Sequence, residues 1–183
     1  MMFGKNKGAI EIAKRIPLGS VGVEIGVWRG DSSALFLERA KHIHLVDPWA
    51  LTPYKESDEF GDYKAYLQRY TALVGSGNPE QFQRYYDNVY ASVALRFGDK
   101  ATIHRMTSAE FFISFHEPVD WAYIDGSHSY AGCLADLRGA RKITKVIYGD
   151  DYGNKVGVTR AVDDFAKESG LNLSIIGNQY EFT

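Results

Sequence analysis

A chain of 183 residues has the length of one domain, expected to span 1–183, and can bury roughly 70% of its unfolded surface without cross-links. Its 45% apolar and 24% charged residues speak against disorder, and no stretch nears the ~20 apolar residues of a membrane span. A formal net charge of -2, with Lys and Arg scattered, offers no basic stripe for nucleic acid. The single cysteine, Cys133, forms no internal disulfide, and the polar start Met1 to Ala9 lacks the apolar core of a signal peptide. A reducing, cytoplasmic setting is expected.

The first apolar run, Val21 to Val27, reads as a strand that leaves through a glycine turn into a helix from Asp31 to Ala40. A second strand, from His42, ends on Asp47 and Pro48, because proline cannot continue a central strand. Residues 50–78, rich in Tyr, Asp, Glu and Gly, read as an insertion with a weak helical stretch near Asp62 to Leu73, a lid or part of an acceptor pocket. Pro79 suits a first helical position, and Phe82, Tyr85, Tyr86, Val89, Val93 and Phe97 keep three-four spacing up to Gly98.

Strands then alternate with helices: strand Thr102 to Met106, helix Ser108 to Phe115, strand Val119 to Asp125, helix Tyr130 to Lys142, strand Val146 to Gly149 and helix Val158 to Glu168. Leu171 to Thr183 reads as one or two closing strands that turn near Gly177 and Asn178. This alternation predicts an α/β fold with a mostly parallel sheet covered by helices on both faces. In such sheets ligands lie beyond the carboxyl ends of the strands, where the strand order reverses.

Residues at those ends are therefore the candidates. The segment Glu24-Ile-Gly26-Val-Trp-Arg-Gly30-Asp-Ser32 brings backbone close to a ligand and a helix start to an anion, although an ordinary glycine turn also accounts for it. Its spacing departs from the dinucleotide fingerprint and suits a smaller anion, such as the carboxylate of S-adenosylmethionine. Asp47, ending the second strand, is placed to accept from ribose hydroxyls, and Trp49 either flanks an adenine or packs in the core.

Asp125 ends one strand, and Asp150 and Asp151 follow the next. Neighbouring strands lie about 4.8 Å apart, so the three acids would converge and require a cation. An oxygen-only set suits magnesium, calcium or manganese; in the alternative, Asp151 caps a turn and one acid alone points inward. His128, on the loop after Asp125, suits a general base, or is a surface neighbour of a helix cap. His42, His44, His104 and His116 read as structural.

Together these segments resemble the class I methyltransferases, and among them the macrocin O-methyltransferase-like group with the catechol and caffeoyl-CoA O-methyltransferases. The resemblance covers nearly the whole chain and rests on Val23 to Ser33, Leu45 to Trp49, Tyr123 to Tyr130, Gly149 to Tyr152 and Gly157 to Phe165. It implies a Rossmann-like, seven-stranded fold that binds S-adenosylmethionine. The implied cofactor set is Glu24, Gly26, Gly30 and Ser32 at the methionine part, Asp47 at the ribose and Ser108 at the adenine, with Trp28 and Asp125 included. Asp125, Asp150 and Asp151 match divalent-metal ligands, magnesium above all, although catechol-type relatives carry Asn for the second acid of the last pair. His128 stands where those relatives carry a lysine base, and the catalytic pair is His128 with Asp125.

The activity so implied is O-methyl transfer to a small hydroxylated acceptor, sugar or polyphenol-like, with neither nucleic acid nor membrane as partner and with the homodimer common among relatives. The rival readings are an NAD-linked oxidoreductase, opposed by the glycine spacing and the acids, a non-catalytic protein retaining the cofactor fold, and a cephalosporin-hydroxylase-like protein.

Overall fold

Side-chain alternation along the strands decides which helices cover which face of the sheet. The computed structural model describes residues 7–51 and 63–183. In chain order the elements are α1 (Lys7–Arg15), β1 (Val21–Ile25), α2 (Asp31–Phe36), β2 (His42–Val46), α3 (Tyr63–Val74) and α4 (Pro79–Phe97). Then follow β3 (Ala101–His104), α5 (Ser108–Ser114), β4 (Trp121–Ile124), α6 (Tyr130–Arg141), β5 (Ile147–Gly149), α7 (Val156–Ser169), β6 (Leu173–Ile176) and β7 (Gln179–Phe182).

All four residues of β4 are buried. Trp121 and Tyr123 pack with Ile43, Leu45 and the apolar faces of α1, α2 and α4, while Ala122 and Ile124 pack with Val23, Ile25 and the faces of α5, α6 and α7. A strand buried on both faces is what a parallel sheet between two helical layers demands. The sheet has seven strands in the order β3-β2-β1-β4-β5-β7-β6. The first five are mutually parallel, and β7 runs antiparallel to both β5 and β6. The order reverses between β1 and β4, so the crevice expected of such sheets opens above these two strands.

Each helix and strand expected from Val21 onward is present within a few residues, apart from an early end to α2 at Phe36, after which the chain turns through Arg39 and Ala40. The closing segment resolves into the two strands of a hairpin turning at Gly177 and Asn178. In the expected insertion, α3 is a helix of 12 residues and Asn78 caps α4 by accepting from the Glu80 amide; residues 52–62 lie outside the described residues. The helix α1 was not anticipated, although Ala9, Ile12, Ala13 and Ile16 recur at three-four spacing and are all buried. Among the described residues no helix is long and apolar enough to cross a membrane.

At the start of β1 the sheet is closed by a contact between Gly22 and Trp121. A Cβ on Gly22 would lie 2.2 Å from the Trp121 ring, whose Nε1 donates to Ser20 Oγ at 2.9 Å. Gly22→Ala should therefore force the buried indole aside and cost about 1–3 kcal/mol, as core overpacking does. Urea unfolding of wild type and variant measures this, and equal midpoints would show that the ring has room to move.

Candidate active site

The site begins where β1 ends. Gly26 has φ 86°, and a Cβ there would sit 2.0 Å from the Asp125 carbonyl oxygen, so only glycine lets the turn lie against the end of β4. Its amide donates to Val46 O at 2.9 Å, joining the same turn to the end of β2. Trp28, Trp49 and Asp151 also hold positive φ, at 47°, 40° and 67°. All three follow the carboxyl ends of strands, and such conformations, costing about 1–3 kcal/mol each, gather at functional sites.

Glu24 is fully buried, and its two carboxylate oxygens accept from the Ser32 and Ser33 hydroxyls, pinning the start of α2 to β1. Burial pushes its carboxyl up to about 7, against the pull of the two serines. Ser33 was not foreseen; the signal available was that an acid inside an apolar strand needs more than one donor. Both oxygens are thus engaged below the turn, and Glu24 holds the turn in place from beneath.

Asp47 collects the turn from the other side. Its carboxylate accepts from the amides of Val27 at 3.1 Å, Trp28 at 2.9 Å and Trp49 at 2.7 Å. Burial raises its pKa against these bonds. A carboxylate offers about four acceptor positions, so about one remains open beside these three amides. The Gly30 amide in turn donates to Val27 O at 2.8 Å. Trp49 is fully buried, its Nε1 donating to Trp28 O at 2.8 Å, and it packs against Tyr90 rather than standing at a ligand surface. Trp28 is exposed, with the Arg29 guanidinium 4.5 Å above its ring.

At the ends of β4 and β5 the acids assemble with a member the sequence reading had placed apart. Asp125, His128 and Asp151 each offer one ligand atom, all within 4.8 Å of one another, and His128 Nε2 lies 3.1 Å from Asp151 Oδ2. Asp150 lies beside them with Oδ1 turned to the Asn178 amide group and to the Asp151 N–H, the latter at 2.6 Å. Burial, reinforced by the charges of Asp150 and Asp151, holds the Asp125 carboxyl well above the ordinary carboxylate range. Two carboxylates and an imidazole are a chemically suitable donor set for a divalent cation.

Ser108, at the first position of α5, is hydrogen-bonded to Asp136 of α6, a buried acid pushed up to about 7 by burial. Asp136 reaches beneath Gly126, where a Cβ would lie 3.2 Å from its Oδ2, and so links the expected adenine side to the Asp125 loop. His44 Nδ1 lies 3.1 Å from His104 Nε2 against the rings of Phe111 and Phe115. Burial pulls His44 down to about 4, which disfavours a charge on the ring beside His104.

A crevice at the reversal of a 3-2-1-4-5-7-6 sheet, floored by a glycine turn and edged by a strand-end acid, defines a class I S-adenosylmethionine-dependent methyltransferase. The profile of the methyltransferase domain matches residues 23–152, and the chain belongs to that family. No curated protein matches it in sequence. Among solved structures, the O-methyltransferase NovP is 20% identical, with 96% of this chain and 76% of that one covered at a TM-score of 0.56. Aeropyrum pernix fibrillarin, in complex with natively bound S-adenosylmethionine, is 10% identical over 96% of this chain and 73% of its own, at 0.59. TrmK of M. capricolum, in complex with S-adenosylhomocysteine, is 11% identical over 95% and 65%, at 0.57. At these identities the likeness is one of fold.

The Glu24 anchor has a pH signature. Because its folded pKa, about 7, exceeds the ordinary 4.5, its contribution to stability is fully present below about 4.5 and is lost as pH rises through about 7. Across that window wild type should lose about 3 kcal/mol more than Glu24→Gln, which keeps the shape without the charge. Urea unfolding at several pH values from 4 to 8 checks it, and parallel profiles would return Glu24 to an ordinary carboxyl.

Proposed function

We propose that this methyltransferase transfers its methyl group to a hydroxyl oxygen of a small acceptor, sugar or polyphenol-like, with a divalent cation held at the ends of β4 and β5. The observation that carries the reading is the convergence of Asp125, His128 and Asp151 beside the glycine turn. The reaction asks little covalent chemistry of the protein, since the sulfonium of S-adenosylmethionine already makes its methyl electrophilic. What remains is to hold an oxygen in line with that carbon and to receive the hydroxyl proton as the carbon–sulfur bond breaks.

In this reading Glu24 and Asp47 set the turn that carries the cofactor, with Asp47 keeping an acceptor position for the ribose and Ser108 lying on the adenine side. A cation held by Asp125, His128 and Asp151 would lower the pKa of a coordinated hydroxyl and offset the crowded acid charge. The hydroxyl proton, made more acidic in this way, would pass to solvent, since the imidazole and both carboxylates would be engaged with the cation. Against a nicotinamide-linked activity stand the glycine spacing and the antiparallel hairpin that closes the sheet, where dinucleotide-binding sheets run parallel in the order 3-2-1-4-5-6.

Calorimetric titration decides first between cofactors: S-adenosylhomocysteine should bind and NAD should not, and micromolar NAD binding with no response to S-adenosylhomocysteine overturns the reading. With labelled S-adenosylmethionine and a panel of sugar and polyphenol acceptors, transfer should stop on chelation while cofactor affinity persists. Full transfer by verified metal-free protein removes the cation from the reaction.

Asp47→Ala should weaken S-adenosylhomocysteine about ten- to a hundredfold, the loss expected of a hydrogen bond to a charged group. It should also lower the unfolding midpoint, because three amides lose their acceptor. Unchanged affinity in the folded variant would leave Asp47 as a clamp alone.

A further inference from the structure

The geometry points to His128 as a metal ligand through its imidazole nitrogen, so that the cation of this site is a first-row transition ion held by one nitrogen and two carboxylates, with Asp150 as an outer partner. This deepens the proposed function and rests on its reading of the crevice as a cation-assisted transfer site. Three observations carry it.

Firstly, the ligand atoms that gather are those of Asp125, His128 and Asp151, all within 4.8 Å of one another. Secondly, His128 Nε2 and Asp151 Oδ2 are 3.1 Å apart. Two donors each about 2.1 Å from one ion and at right angles to it stand about 3.0 Å from each other, so this spacing fits a shared ion with little movement. Thirdly, Asp150 stands outside this cluster, with its Oδ1 accepting from the Asn178 side chain and the Asp151 amide. A carboxylate so tied orients the residue that ligates, which is the part outer partners take in metal sites.

The loop carrying His128 is fixed on both sides. Ser127 and Ser129 share a hydroxyl contact of 2.9 Å, and Ser129 caps α6 by accepting from the Gly132 amide at 3.1 Å. The imidazole is thus presented from a set backbone, and the left-handed Asp151, φ 67°, aims its carboxylate back toward it. An imidazole among the ligands changes the preferred ion. Magnesium and calcium favour oxygen alone, whereas zinc and iron take imidazole readily and manganese, chiefly an oxygen-bound ion, also admits it. A His128 that coordinates through Nε2 cannot take the acceptor proton at that atom, which separates this assignment from a dyad in which Asp151 merely orients a histidine base.

Manganese is the probe. Chelator-stripped full-length protein is loaded with Mn2+, with and without S-adenosylhomocysteine, and its electron spin-echo modulation is read for coupled nitrogen. The expected spectrum carries imidazole nitrogen modulation, which changes frequency when the protein is grown with 15N-histidine and needs no mutation to be seen. His128→Asp, which keeps three donors, should still bind Mn2+ but lose the nitrogen signal and the preference for Mn2+ over excess Mg2+. A bound Mn2+ without nitrogen modulation, or no Mn2+ bound at all, overturns the assignment. Failure of S-adenosylhomocysteine to bind would instead count against the cofactor reading, which calorimetry records separately from the spectrum.

Discussion

The approach of Gly26 to the Asp125 carbonyl is the contact from which the rest of the site is hung. It lets the turn after β1 lie flat on the end of β4, and a Cβ would collide there at 2.0 Å. Around it two buried acids work from opposite sides: Glu24 grips the start of α2 through Ser32 and Ser33, and Asp47 grips the turn through the amides of Val27, Trp28 and Trp49. The turn is rigid because carboxylates, and not solvent, satisfy its donors.

Such rigidity has an electrostatic consequence. Glu24, Asp47 and Asp125 are crowded beneath one crevice, and burial raises each of them. A polypeptide alone holds this arrangement by protonating some of the acids, while a cation offsets the charge without that change. The same acids therefore make the crevice receptive to positive charge, which the sulfonium of S-adenosylmethionine also carries.

Much of the fold was legible because its signals are local. Strand lengths, the glycine turn, Pro79 and the three-four spacing of α4 are properties of short segments. The strand-end positions of Asp47 and Asp125 followed from the alternation of elements. Legibility ended where orientation decided the outcome. That Asp150 turns to Asn178 while His128 reaches Asp151 depends on a left-handed backbone at Asp151, a conformation that aspartate tolerates but does not announce. Ser33 and Asp136 went unseen because their partners lie on other elements, and α1 because its buried Ala9, Ile12 and Ala13, with Ile16 just beyond, are set among Lys7, Gly8, Glu11, Lys14 and Arg15.

The pairing of β1 with β4 bears on how the chain reaches this state. The Val21 amide donates to the Asp120 carboxylate, a partner 99 residues away, although β1 and β4 lie side by side. Closing so long a loop is entropically costly and slows the joining of the β1 side of the sheet to the β4 side. The crevice lies on that seam, so half of it comes from each party. A nascent or half-folded chain has no binding site to fill, and a ligand that enters the crevice holds the two halves of the molecule together.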